Sequence, residues 1–185
     1  MTFKEKYGDH SSEIYKRNLD ISRKNLDSLE GCYKEIKGSF NCSNNKLTSL
    51  EGAPETVDEN FWCYDNKLTS LEGAPRIVNG DFYSFNNKLI TLKGAPEIIK
   101  GEFSCAINNL SSLESAPKVI NGEFNCSDNP KLKSLDALLG TEIKGELISS
   151  IMTDEEFKED QKLFIKVHKD LKKFKKLKKL LKEIK

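Results

Sequence analysis

The hydrophobic positions of this 185-residue chain repeat every 21 residues over most of its length. Each repeat has a Phe, then Cys or Ser two residues later, Asn after five and Leu after seven. A second Leu follows three residues further on, and a branched aliphatic residue precedes each Phe by four positions. The spacing is carried by Leu47, Leu68, Leu89 and Leu110, and by Leu132, which comes one residue late after Pro130. A fixed period in this range predicts a repeat solenoid.

Within a repeat, apolar and polar residues alternate over three or four positions, which indicates a short strand. The interior of the solenoid is then filled by two columns of side chains. The predicted inward columns are Phe40, Phe61, Phe82, Phe103 and Phe124, and Cys42, Cys63, Ser84, Cys105 and Cys126. The repeat Asn turns the chain, and its amide is expected to bond backbone groups of its own and the adjacent coil.

The repeats resemble the leucine-rich repeat, whose pattern L-x-x-L-x-L-x-x-N-x-L is met with Phe and Cys in two of the Leu places. The resemblance covers about residues 19 to 150, with departures at Lys24, Glu59 and Ser84. It implies a leucine-rich-repeat solenoid with short parallel strands on the concave face. The sequence Ser-Leu-Glu-Gly-Ala-Pro, from Ser49 to Pro54, is similar to segments of repeat proteins encoded by tailed bacteriophages and some bacteria. That narrower resemblance implies a phage factor that inhibits or redirects a host protein.

Three segments are predicted: an N-terminal cap over 1–22, the solenoid over 23–150 and a Lys-rich helix over 151–185. A short helix from Ser11 to Arg17 would cap the first coil. In the third segment, Thr153 to Glu156 form a capping box, and no Gly or Pro follows. Apolar residues at three- and four-residue spacing make this an amphipathic helix. It is expected to cap the last coil, to pair with a second copy of the chain or to bind a partner.

The residues between the inward columns are predicted to lie on the concave surface. Trp62, Tyr64, Tyr83 and Phe85 would form a two-by-two aromatic block there, with Asn41 and Asp81 at its rim. Two other interpretations stay open, in which the rings only pack on one another or one end of the chain covers them. An exposed aromatic block with a polar rim is typical of a protein-binding site.

Lysines recur in two places that could bind anions. Lys46, Lys67 and Lys88 precede successive repeat Leu residues, and residues 168–185 carry a net charge of +7. The candidate residues in that last segment are Lys172, Lys173, Lys175 and Lys176. Nucleic acid, an anionic membrane surface and an acidic protein groove are the alternatives to a plain solvated face.

The remaining residues do not form a pattern typical of a catalytic or metal site. The only histidines, His10 and His168, lie outside the repeats, and the cysteine spacing is not that of a metal site. No catalytic residue, metal or cofactor is therefore predicted. Net charge is +1, and no apolar run is long enough to span a membrane. Cysteines that pack as small apolar residues favour a reducing cytoplasm.

Overall fold

The chain winds into a parallel β-solenoid in which each coil contributes one strand to each of two sheets. The computed structural model describes residues 1–150, and the predicted helix over 151–185 lies outside the described residues. The strands of the first sheet are β1 Ile14–Tyr15, β3 Glu35–Ile36, β5 Thr56–Val57, β7 Ile77–Val78, β9 Ile98–Ile99, β11 Val119–Ile120 and β13 Glu142–Ile143. The strands of the second sheet are β2 Leu19–Asp20, β4 Phe40–Asn41, β6 Phe61–Trp62, β8 Phe82–Tyr83, β10 Phe103–Ser104, β12 Phe124–Asn125 and β14 Leu147–Ile148.

Both sheets have seven parallel strands in the order in which the coils follow along the chain. The register places equivalent repeat positions opposite each other, so Phe61 pairs with Phe82 and Trp62 with Tyr83. The solenoid prediction is confirmed. The first sheet was not predicted from the sequence. Its strands form because the adjacent coil offers backbone partners to their N–H and C=O groups.

The inward columns lie in the core, as predicted. All five repeat Phe side chains are fully buried, and successive ring centroids are 5.3, 5.3, 5.6 and 5.1 Å apart. The repeat Cys residues and Ser84 are buried beside them. Adjacent parallel strands lie about 4.8 Å apart, so one large ring per coil fills the interior without gaps.

The predicted bonding of the repeat Asn residues to backbone groups of two coils, which we call the Asn ladder, is also confirmed. Asn87 donates from Nδ2 to the carbonyls of Cys63 at 3.1 Å, Ser84 at 3.1 Å and Phe85 at 3.3 Å. Its Oδ1 accepts the backbone N–H of Leu68 at 3.0 Å. Each such Asn therefore satisfies backbone groups of two coils, which would otherwise be buried without partners.

The N-terminal helix lies at α1, Phe3–Tyr7, and not at residues 11–17. Thr2 and Glu5 form a capping box at its start. The prediction for residues 11–17 was wrong because Ile14–Tyr15 pairs with Glu35–Ile36 as strand β1. The predicted 1–22 cap therefore already contributes β1 and β2 to the sheets. Phe3 is buried, whereas Tyr7 and Ile14 are exposed.

The final described coil is two residues longer than the others. Phe124 pairs with Leu147, a separation of 23 residues, whereas Phe103 pairs with Phe124 at 21. Pro130 accounts for one extra residue, and the other lies between Leu135 and Ile143, in the stretch that contains a 3-10 helix at Asp136–Gly140. The register of the second sheet is kept.

Candidate binding surface

Four aromatic side chains lie together on the outer face of the second sheet. We call Trp62, Tyr64, Tyr83 and Phe85 the aromatic surface; all four are partly exposed. Their positions follow from strand alternation, because the neighbouring Phe61, Cys63, Phe82 and Ser84 point into the core. The structure therefore brings together the four aromatic residues that the sequence pattern singled out.

Three of the four rings of the aromatic surface contact one another and remain partly exposed, and Trp62 lies opposite Tyr83 in the pairing of β6 with β8. Tyr64 and Phe85 stack with centroids 4.5 Å apart and planes 6° from parallel. Tyr83 lies 6.1 Å from Phe85 at an interplanar angle of 54°. Tyr64, Tyr83 and Phe85 thus pack on one another and are still partly accessible to solvent, and this packing restricts the orientation of their rings.

Small polar residues border the aromatic surface along the sheet. Asn41 Oδ1 accepts both the backbone N–H of Ser43 at 3.1 Å and its hydroxyl at 2.7 Å. The same motif recurs at Asn125 and Ser127. Asn41 is partly exposed, as its assignment to the rim requires. These short side chains therefore bond each other within the same strand segment.

Carboxylates lie at the other border, next to Tyr83. The Tyr83 hydroxyl donates to Glu102 Oε2 at 2.8 Å, and Asp81 Oδ1 accepts the backbone N–H of Glu102 at 2.9 Å. Burial, the Glu102 hydrogen bond and the negative charges of Asp81 and Glu102 raise the pKa of Tyr83. The phenol therefore stays protonated and keeps its hydrogen bond at neutral pH.

Trp62 has a polar group that its surroundings do not satisfy. Its Nε1 is buried and has no hydrogen-bond acceptor within the described part of the chain. An unpaired buried donor costs about 1–3 kcal/mol. Trp62 is therefore a residue whose placement is not explained by stability alone.

Ile107 lies one coil after Asn86, at the position that follows the Tyr64 and Phe85 column, and was not among the predicted site residues. It has φ 54° and is 49 % exposed. The equivalent residues of other coils also have positive φ, but several are Asn or Asp, including Asn44, Asp65 and Asn86. These types tolerate the left-handed region, whereas a β-branched residue there is an outlier. The Asn or Asp found at this position in the other coils was the signal that could have revealed it.

We call Lys46, Lys67 and Lys88 the lysine column. Lys46, Lys67 and Lys88 are exposed, and none of the three forms an ion pair within residues 1–150. The other predicted anion-binding residues, Lys172, Lys173, Lys175 and Lys176, lie outside the described residues.

Charged residues beside the first sheet are paired across coils. Glu97 bonds Arg76 Nε at 2.7 Å and Lys118 Nζ at 2.8 Å. These two cations lower the pKa of Glu97 to about 2. Near the repeat Leu residues, Lys93 and Glu72 also pair across coils at 2.8 Å. The Arg76–Glu97–Lys118 network was not predicted from the sequence.

Residues 1–150 also contain a groove and several buried thiols. An open groove of about 590 Å³ runs along the turns of two coils, and its lining is Asp27, Ser28, Glu30, Gly31, Thr48, Ser49, Glu51 and Gly52. The described residues contain no group of three or more potential metal ligands. Burial raises the pKa of Cys32 to about 12 and of Cys126 to about 11, so both thiols are neutral and poorly nucleophilic.

No helix within residues 1–150 is long and apolar enough to cross a membrane. A scan of known protein families, together with searches of curated proteins and of solved structures, found no match to this chain. The geometry of the solenoid is therefore the basis on which a function can be proposed.

Proposed function

We propose that this protein is a non-enzymatic protein-binding module that docks its partner on the aromatic surface. The observation that carries the proposal is the exposure of Trp62, Tyr64, Tyr83 and Phe85 as one contiguous set. Trp and Tyr are typical hot-spot residues of interfaces. The coils hold the rings rigidly, which lowers the entropy lost on binding.

The proposal is tested by affinity capture with the full chain as bait. Bacterial extract is passed over the wild-type protein, the Trp62→Ala/Tyr83→Ala variant and the Ile77→Ala/Ile98→Ala variant. The last pair lies on the first sheet and controls for the loss of two large outward-facing side chains. A partner retained by wild type and control but lost from the aromatic variant supports the proposal. Thermal unfolding of all three proteins verifies that each is folded, and identical captured proteins from all three would contradict the proposal.

A second candidate is nucleic-acid binding through the lysine column and the Lys-rich residues 168–185. It is favoured by the three exposed lysines 46, 67 and 88, which form no ion pair within residues 1–150. Substitutions separate the two functions. Nucleic-acid binding is expected to fall when Lys46, Lys67 and Lys88 are replaced by Gln and to weaken steeply with ionic strength, whereas binding through the aromatic surface is expected to depend on Trp62 and Tyr83 and to tolerate loss of the three lysines.

The more specific form of the proposal is a leucine-rich-repeat protein of phage origin that inhibits or redirects a host protein in the cytoplasm. It is supported by the Asn and Leu columns, by the sequence from Ser49 to Pro54 and by five free buried cysteines. The helical caps, the concavity of the aromatic face and pairing of two chains through residues 164–184 belong to this form of the proposal.

A further inference from the structure

The carboxylates beside the aromatic surface form a column of negatively charged side chains. The outward position two residues before Tyr83 is Asp81, and the equivalent positions of the following coils are all acidic. These residues are Asp81, Glu102, Glu123 and Glu146. Side chains two residues apart on a strand share a face, so the column lies on the same side of the sheet as Tyr83 and Phe85.

These carboxylates differ from those beside the first sheet in having no ion-pair partner within residues 1–150. Within the described residues, none of the four takes part in an ion pair, whereas Glu97 contacts two cations. Across the aromatic surface, Asp65 adds another carboxylate; it accepts a hydrogen bond from Asn86 and likewise has no ion pair in this part of the chain. Carboxylates that form no ion pair within residues 1–150 therefore occur near both Tyr83 and Tyr64.

Aromatic faces and uncompensated carboxylates attract the same kind of ligand. A guanidinium or ammonium group over a ring gains from the ring quadrupole, and a carboxylate at the ring edge adds charge-assisted hydrogen bonds. Arg suits the combination best because its planar group stacks on rings and bonds carboxylates with two N–H groups. A phosphate backbone would be repelled by the same residues.

We propose that the aromatic surface, together with Asp81 and Glu102, binds a cationic segment of a partner protein. An Arg side chain stacks against Tyr83 or Phe85 and donates its N–H groups to the two carboxylates. This inference rests on the proposed function and names the chemistry of its partner.

Two conservative substitutions remove the charges while keeping the fold. Asp81→Asn retains the bond to the Glu102 backbone, because Asn60 occupies the equivalent position one coil earlier and accepts the Asp81 N–H at 2.8 Å. Glu102→Gln retains an acceptor for the Tyr83 hydroxyl. The matched control is Glu30→Gln/Glu51→Gln, which removes two charges from the separate groove.

Trp62 provides the readout, since it is the only Trp in the chain and belongs to the aromatic surface. The full chain is titrated with end-blocked penta-arginine and with its penta-citrulline counterpart, which has nearly the same shape but no charge. We expect penta-arginine to change Trp62 emission with an affinity at least about tenfold higher than penta-citrulline, a difference of about 1.4 kcal/mol. The Asp81→Asn/Glu102→Gln variant should lose at least the same factor, and the groove control should bind as wild type.

Several results would overturn the inference. They are equal responses to the two peptides, no response to penta-arginine, unchanged affinity in the charge variant and an emission change that depends on protein concentration without peptide. The last result would assign the surface to a second copy of the chain. A response to a 20-nucleotide oligothymidylate in place of the peptide would assign it to nucleic acid.

Capture experiments separate this inference from the function on which it rests. If a partner is lost with Trp62→Ala/Tyr83→Ala but kept with Asp81→Asn/Glu102→Gln, the aromatic surface binds a protein, but the charges of Asp81 and Glu102 do not contribute to binding. If both variants keep the partner, the proposed function fails as well.

Discussion

Tyr64 and Phe85 stack across two adjacent coils, with ring centroids 4.5 Å apart and planes only 6° from parallel. The two residues are 21 positions apart and so occupy the same place in successive repeats. The solenoid period therefore sets the distance between their rings. A stack of this kind adds to stability and at the same time limits how far either ring can turn when a partner arrives.

The first prediction concerns the energy of this stack. Tyr64→Ala and Phe85→Ala are expected to show a coupling of about 1 kcal/mol in a double-mutant cycle, because stacked pairs contribute roughly that much beyond buried area. Denaturant unfolding of the two single variants and the double variant measures the coupling. The control cycle joins Tyr64→Ala with Ile77→Ala on the first sheet, and should be additive. Additivity at both pairs would show that the rings do not stabilise each other.

The second prediction compares two adjacent asparagines. Asn108 is buried and donates to the carbonyls of Ser84 at 3.2 Å, Cys105 at 3.1 Å and Ala106 at 3.0 Å. Asn108→Ala should lower the free energy of unfolding by about 2 kcal/mol or more, because it leaves buried backbone groups without partners. Asn109→Ala, at an exposed position, should change it by less than about 0.5 kcal/mol. Equal effects at the two sites would contradict the role assigned to the Asn ladder.

The third prediction tests the strained backbone at Ile107. Ile107→Asn should raise the free energy of unfolding by about 1 kcal/mol, since Asn adopts positive φ with less steric conflict than Ile. Ile90→Asn is the matched control, because Ile90 is 59 % exposed and is not among the residues with positive φ. A rise at Ile107 accompanied by weaker partner binding would place Ile107 within the docking site. A loss of stability there would show that packing outweighs strain.

The fourth prediction is a dependence of stability on pH. Arg76 and Lys118 lower the pKa of Glu97 to about 2 from the ordinary value of 4.5, so between these values the unfolded chain binds more protons than the folded one. The stabilisation from Glu97 is present above pH 4.5 and is lost as pH falls through about 2. Unfolding measured between these limits should therefore depend less on pH in Glu97→Gln than in wild type.

Salt and a second carboxylate provide the checks on that result. Because the ion pairs are exposed, added salt should reduce the difference between wild type and Glu97→Gln. Glu55→Gln is a useful comparison, since Glu55 contacts Lys34 at the longer distance of 3.8 Å. If both variants show the pH dependence of wild type, the Arg76–Glu97–Lys118 network does not contribute to acid stability.

The repeat period and the inward columns are properties of the sequence alone. A residue such as Phe61 recurs every 21 positions, and only one face of a short strand can be buried, so the pattern determines that Trp62 and Tyr64 point outward. The Asn ladder followed in the same way, because a buried turn must satisfy its own backbone. These inferences need only local geometry and repetition.

The first sheet, the N-terminal strand and the charge network depended on contacts between coils. Ile14–Tyr15 forms a strand because it pairs with the backbone of Glu35–Ile36 in the next coil. The local sequence of residues 11–17 contains no information about that pairing. The pairing of Glu97 with both Arg76 and Lys118 likewise follows from the stacking of coils. Repetition along the chain thus determined which residues face inward, whereas tertiary packing decided which neighbours satisfy the backbone and which carboxylates form an ion pair within residues 1–150.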